Sequence, residues 1–390
     1  MDALLGTCSL PELAKRKSFK WRTYPPDVLP AFVAEMDFAV AGPVADAVRD
    51  ALAIGDTGYP HGGELGEAFT SFARDRLGWA PAPARVFAIP DVMTGIAEVL
   101  LAVTPHASGI VISPPVYGPF ALRIGMIGRR VVEAPLRQRE DGSYDLDFDV
   151  LDRALASDGV SAYLLCSPHN PIGQVWSRDQ LLAVADLCLR HDVSLMVDEI
   201  HAPLVLPGAQ YVPFGSLDHE MAQRAYIFTS ASKGWNIAGL KCGVAVAGSD
   251  GAAALLTERW EGLLAGHLGV LASVAAFTRP GALAWLDIVV GQIDQNRALL
   301  ASLLAEQLPE IGYAPGAASF LAWLDCRKLG LGDDPAAVFL ERGAVALSPG
   351  LDFGAGGTGF ARLNIGTSPD LITEAVRRMA TAIAAVREAG

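Results

Sequence analysis

Ser230-Ala231-Ser232-Lys233-Gly234-Trp235-Asn236-Ile237-Ala238-Gly239-Leu240-Lys241-Cys242-Gly243 is the stretch on which the reading of this chain turns. It follows the apolar run Ala225 to Phe228 and leads into another, Val244 to Ala247. Both have the length and composition of buried strands. A lysine between small hydroxyl residues and glycines, at a strand end, is placed for chemistry rather than for solubility. Its amine can form a Schiff base with an aldehyde cofactor, and Ser230, Ser232 and Lys241 can hold a phosphate. An isolated Ser-x-Ser-Lys is most often an exposed lysine in a polar loop, but the whole stretch is more specific.

Upstream, from Arg85 to Phe228, the pattern alternates as in an α/β protein. Apolar runs at Val86 to Ile89, Gly109 to Ser113, Val131 to Ala134, Ala162 to Cys166 and Ser194 to Val197 predict strands. Helical stretches such as Gly95 to Val103 and Arg178 to Arg190 separate them. Near-continuous apolar strands imply a largely parallel sheet covered on both faces. Ligands of such sheets sit beyond the strands' carboxyl ends. Asn170, Asp198 and the segment Ser230 to Lys233 all fall at such ends.

The composition bounds the rest. With 390 residues, 51% hydrophobic and 19% charged, the chain can bury a large core. A net charge of −13 argues against nucleic acid and anionic membrane as partners. The five cysteines, Cys8, Cys166, Cys188, Cys242 and Cys326, are scattered and show no C-x-x-C spacing. That pattern fits a reduced, cytoplasmic protein better than a disulfide framework or a zinc site.

Residues 1 to 41 read as irregular, with Pro25, Pro26 and Pro30 preventing a long helix. Within them Glu35 and Asp37 stand in an otherwise apolar segment, as solvated acids of a packed arm or as part of a site. Helices are expected at Pro43 to Ala53 and roughly Glu64 to Leu77, with Gly58-Tyr59-Pro60 as a turn between them. Asp91-Val92-Met93-Thr94-Gly95 opens a helix whose free N–H groups suit an anion. Downstream, Val289, Ile293, Leu300 and Leu304 keep helical spacing into a C-terminal region. That region is expected to hold strands at Phe320 to Leu324 and Phe360 to Ile365 and a closing helix. Gly354 to Gly359 matches no dinucleotide or P-loop spacing and reads as a turn.

Taken in order, these motifs resemble the class I/II aminotransferase superfamily, the fold-type I enzymes that use pyridoxal 5′-phosphate. Lys20-Trp21, the run Leu29 to Phe38 and Asp198-Glu199-Ile200-His201 look in particular like the cystathionine β-lyase-like C–S lyases of the MalY/PatB type. The resemblance implies a large domain with a mostly parallel seven-stranded sheet and a smaller α+β C-terminal domain. Their bounds would be an arm at 1–41, packed on the small domain and lining the mouth of the active site, the large domain at 42–285 and the small one at 286–390. It implies Lys233 as the Schiff-base lysine and Asp198 as the acid facing the pyridine nitrogen, with His201 beside it. Asn170, in Asn170-Pro171-Ile172-Gly173, would donate to the phenolic oxygen, and Tyr117 would stack on the ring. The phosphate cradle would comprise the backbone of Val92 and Met93 together with Ser230, Ser232 and Lys241. Lys241 stands where aminotransferases resemble an arginine, and Asp91 where the family usually has a small or neutral residue. Tyr59 would reach the partner's cofactor in a homodimer with shared sites. Arg362, with Asn170, would hold the substrate's α-carboxylate, a task suited to a planar fork.

The implied activity is β-elimination from cystathionine or another S-substituted L-cysteine, giving a thiol, pyruvate and ammonia. A class I/II aminotransferase is the alternative, and His201 speaks against it because aminotransferases resemble Asp-x-x-Tyr here. A third reading is a regulatory protein that binds partners without turnover. The acidic charge disfavours direct DNA contact in that case.

Overall fold

Seven short runs form one sheet: β1 (Val86–Ile89), β2 (Gly109–Ile112), β3 (Arg130–Glu133), β4 (Val160–Cys166), β5 (Ser194–Asp198), β6 (Tyr226–Thr229) and β7 (Gly243–Ala247). The computed structural model describes Leu5, residues 9–260 and residues 263–389. Cys8 lies outside the described residues, and Cys166, Cys188, Cys242 and Cys326 are free and buried.

The strand order is β1-β7-β6-β5-β4-β2-β3. From β6 to β3 every pairing is parallel, while β7 runs antiparallel to both β1 and β6. Alternation along each strand feeds two cores. Tyr163 and Leu165 of β4 pack into one, Ala162 and Leu164 into the other. Two buried faces explain why these strands read as unbroken apolar runs rather than as alternating ones. At the edge, β3 carries Arg130 and Glu133 at its exposed ends, which discourages further pairing.

Five helices matter for the site: α1 (Val92–Val103), α2 (Pro119–Met126), α3 (Ala231–Gly234), α4 (Pro280–Gln307) and α5 (Pro369–Ala389). The periodic residues Val289, Ile293, Leu300 and Leu304 are buried along α4. This helix leads to a second sheet of four antiparallel strands, Gly312–Tyr313, Leu321–Asp325, Phe360–Asn364 and Ser348–Pro349 in that order, which α5 follows. The two sheets are held close beside Tyr117, where Val116 N–H donates to the Phe353 carbonyl at 2.9 Å. A Cβ at Gly118 would sit 1.9 Å from the Asp352 carbonyl oxygen, so only glycine permits this approach.

Three expectations need correction. The N-terminal region holds one-turn helices at Leu10–Leu13 and Phe19–Arg22, and Leu29–Pro30 pairs in parallel with Val345–Ala346. The predicted helix Glu64 to Leu77 is α-helical only over Gly63–Phe72 and widens to a π-helical turn over Ala73–Leu77. Asp37 is not a solvated acid: it is buried and ion-paired to the equally buried Lys20 at 2.8 Å. Among the described residues no single helix is long and apolar enough to cross a membrane.

Candidate active site

A cavity of about 410 Å³ opens at the carboxyl ends of β1, β4, β5 and β6. Reversal of β7 brings a further segment to this edge. Gly243, its first residue, pairs with Ile89, the last of β1, so Lys241 and Cys242 reach the same wall as Asp91. The cavity lies in the size range of small-molecule sites.

Lys233 is seated by the chain on both sides of it. Ser230 caps α3, its Oγ accepting from Ser232 N–H at 3.0 Å. On the far side Trp235 is buried, donates Nε1–H to the Ala282 carbonyl at 2.9 Å and packs edge-on against Phe72 and Phe277. Between these anchors the Lys233 amine enters the cavity and donates to the Ala34 carbonyl at 2.8 Å. Burial, followed by the nearby Arg362 charge, pulls its pKa down to about 8. A lysine so tuned is partly neutral, and hence nucleophilic, near physiological pH.

Asp198 ends β5 at the cavity floor, with Ile200 N–H donating to its Oδ1 at 3.0 Å. Burial raises its pKa to about 7, against the opposing effects of that N–H and of Lys233. The neighbouring Glu199 faces away and accepts from Phe214 N–H at 2.7 Å. His201, Asn170 and Tyr117 line the same cavity. Burial lowers the His201 pKa to about 3, so its ring is neutral, and it packs edge-on against Phe320.

At the cavity's other end, Asp91 caps α1 by accepting from Thr94 N–H at 2.8 Å. Gly95 N–H is taken by the Asp91 carbonyl, which leaves the first-turn N–H groups of Val92 and Met93 for another acceptor. Ser232 and Lys241 line this end, and Lys241 is ion-paired to Asp91. Ser230 departs from its expected part as a phosphate donor. Its hydroxyl proton goes to the Cys242 carbonyl at 2.7 Å, which makes it a brace between the lysine loop and β7.

Arg362 stands behind Asn170 rather than on the cavity wall. Its Nη1 donates to Asn170 Oδ1 at 3.0 Å, and its Nη2 to the Phe32 carbonyl at 2.8 Å and Ser348 Oγ at 3.0 Å. Both edges of a guanidinium that can grip a carboxylate bidentately include Nη2. A carboxylate therefore takes that grip only by displacing Phe32 or Ser348. The buried Nε is without a partner among the described residues.

Phe32 and Ala34 belong to an arm whose carbonyls alternate in direction. Those of Phe32, Ala34 and Met36 accept from Arg362, Lys233 and Asn236 Nδ2. Those of Val33 and Glu35 both accept from Asn364 Nδ2, at 2.6 and 2.7 Å. The sequence reading assigned no role to Asn236, Asn364 or the cavity-lining Arg123. Asn236 and Asn364 did stand inside the Lys233 and Arg362 motifs, which was the available signal. Tyr59, 89% exposed, lies away from this chain's own cavity.

A buried lysine amine, a buried carboxylate with a raised pKa and a helix start with two free N–H groups form the donor set that pyridoxal phosphate needs, so the residues present fit it.

The family model for aminotransferase class I and II matches residues 41–379. A Mycobacterium tuberculosis protein provisionally named a cystathionine beta-lyase is 43% identical, over 95% of each chain. Cystathionine beta-lyase PatB of Bacillus subtilis is 34% identical, over 92% of this chain and 93% of its own. The crystal structure of cystalysin from Treponema denticola, which contains pyridoxal 5′-phosphate, superposes with a TM-score of 0.90 at 27% identity, covering 96% of this chain and 97% of that one. The chain belongs to the class I and II aminotransferase family, and it is a pyridoxal-phosphate-dependent enzyme.

Proposed function

We propose that this enzyme is a carbon–sulfur β-lyase that cleaves cystathionine or another S-substituted L-cysteine to a thiol, pyruvate and ammonia. The observation that carries it is the end-to-end likeness to cystathionine beta-lyases, on a chain whose cavity brings Lys233 and Asp198 together.

When bound, pyridoxal phosphate supplies an electron sink for the pair left at Cα once its proton is gone. The chain's residues do the rest. Lys233 takes the Cα proton at Nζ, and its depressed pKa suits a group that must both accept and return a proton near neutrality. Arg362, after yielding its contact to Phe32, holds the α-carboxylate with Asn170. The Cβ–S bond then breaks with its electron pair going to sulfur. Asp198 keeps a negative charge or a proton at the cavity floor, where the pyridine nitrogen would face it. Val92 N–H, Met93 N–H, Ser232 and Lys241 would receive the phosphate, and Tyr117 and His201 would flank the ring.

The same reading makes the enzyme a homodimer, with Tyr59 entering the partner's cavity. Its 89% exposure, with exposed Leu52 and Ile54 a few residues before it, supports this. Residues 1–41 then act as an arm on a large domain of 42–285 and a small domain of 286–390. Assaying purified enzyme for thiol and pyruvate from S-substituted cysteines, with no keto acid added, tests the proposal.

A further inference from the structure

We propose that Arg123 binds the cofactor's phosphate alongside Lys241 and supplies the net positive charge that the Lys241–Asp91 pair does not. The inference rests on the pyridoxal-phosphate reading of the cavity and adds a ligand that no motif indicated.

A phosphate carries close to two negative charges near neutral pH and needs cations where water is partly excluded. At the phosphate end of the cavity the obvious cation is Lys241, but Asp91 holds it in an ion pair whose net charge is zero. Burial pushes the Asp91 carboxyl up, but the hydrogen bonds from Lys241 and Thr94 and the Lys241 charge together outweigh it and keep Asp91 below the usual carboxylate range, so this neutralisation persists through neutrality. Ser230 gives its proton to Cys242. What remains is the neutral Ser232 hydroxyl and the start of α1, with the N–H groups of Val92 and Met93 and a fractional positive charge. That is short of what a dianion requires.

Arg123 lies half-buried on α2, and α2 packs against α1. It lines the same cavity as Asp91, Val92 and Met93, and among the described residues its guanidinium makes neither an ion pair nor a hydrogen bond. A guanidinium stays charged at any relevant pH and matches phosphate oxygens with paired N–H groups. Its position one turn after Pro119, which also lines the cavity, directs the side chain back toward Tyr117 and the start of α1. The other cavity acid, Asp198, lies at the floor beside Lys233, so among the described residues the cavity offers Arg123 no free protein anion.

The test compares cofactor binding with and without the phosphate. Apoenzyme is titrated with pyridoxal 5′-phosphate and, separately, with pyridoxal, following the visible band of the Lys233 adduct. Arg123→Gln should weaken the phosphorylated ligand about tenfold or more while leaving pyridoxal unchanged, and Arg123→Lys should recover part of the loss. In an Asp91→Asn background, where Lys241 is released, the same Arg123→Gln change should cost several-fold less. Equal weakening of both ligands, or no weakening of either, overturns the proposal. So does an unchanged cofactor affinity with a raised KM only for conjugates whose leaving group is anionic, because Arg123 would then serve the substrate. A wild-type apoenzyme that forms no adduct with either ligand would instead overturn the cofactor reading itself.

Discussion

The amine of Lys233 donates to the carbonyl oxygen of Ala34 at 2.8 Å, tying the reactive lysine to an arm 199 residues earlier in the chain. Two residues before Ala34, the Phe32 carbonyl occupies Arg362 in the same way. One short segment, bent at Val33 and Ala34, thus holds both the proposed base and the proposed carboxylate anchor.

Lys233 should be the residue that carries the cofactor. Borohydride reduction of the yellow holoenzyme, followed by peptide mass analysis, should place the label there. Lys233→Ala should lose the visible band and at least about a thousandfold in rate. Label on any other lysine would undo the assignment.

Asp198 should make the apoenzyme's stability pH-dependent. Burial raises its folded pKa to about 7, above the ordinary aspartate value of 3.8. The sign follows: the native state retains a proton that the unfolded chain releases. Stability from this group is therefore full below about pH 4 and is lost as pH rises to about 7. Urea midpoints of wild type and Asp198→Asn should accordingly diverge as pH rises from 4 to 8, with wild type the relative loser. Parallel curves across that range would contradict the burial argument.

Lys20 and Asp37 fix the arm by a buried pair, with side chains only 1% and 6% exposed and Trp21 Nε1 donating to the same carboxylate. Lys20→Met alone strands that carboxylate and should cost about 3–5 kcal/mol. Lys20→Met with Asp37→Leu should recover much of this in urea unfolding. A single-variant cost under about 1 kcal/mol would mean the pair is solvated after all.

Much of this was legible in the sequence, for identifiable reasons. The strands were visible because a sheet buried on both faces writes unbroken apolar runs. Lys233, Asp198 and Asn170 were visible because such sheets present chemistry at strand ends. The resemblance put the arm at the mouth of the site, but how it acts was not legible, since it works through the backbone carbonyls of Phe32 and Ala34, which any residue carries. The diversion of Ser230 to Cys242 depends on where β7 begins beside β1, and local sequence does not encode that register. Arg123 looks like any surface cation until α2 is packed on α1.

Shared sites can be tested by complementation. Lys233→Ala chains lack the base, and Tyr59→Ala chains are expected to bind cofactor poorly in their partners. Mixed refolding of the two should regain up to about a quarter of wild-type activity, because C2 pairing rebuilds one intact site per heterodimer. Absence of any regain, with heterodimers shown to form, would place Tyr59 outside the partner's site.

The most direct test of the account is product analysis with L-cystathionine as the sole substrate. Elimination expels the thiol within one molecule and needs no second substrate, whereas amino transfer requires an acceptor keto acid. The enzyme should release homocysteine, pyruvate and ammonia in equal amounts with no keto acid added, and Lys233→Ala should form none of the three. Amino exchange between alanine and a keto acid, with no thiol released from cystathionine or any other S-substituted cysteine, would contradict it.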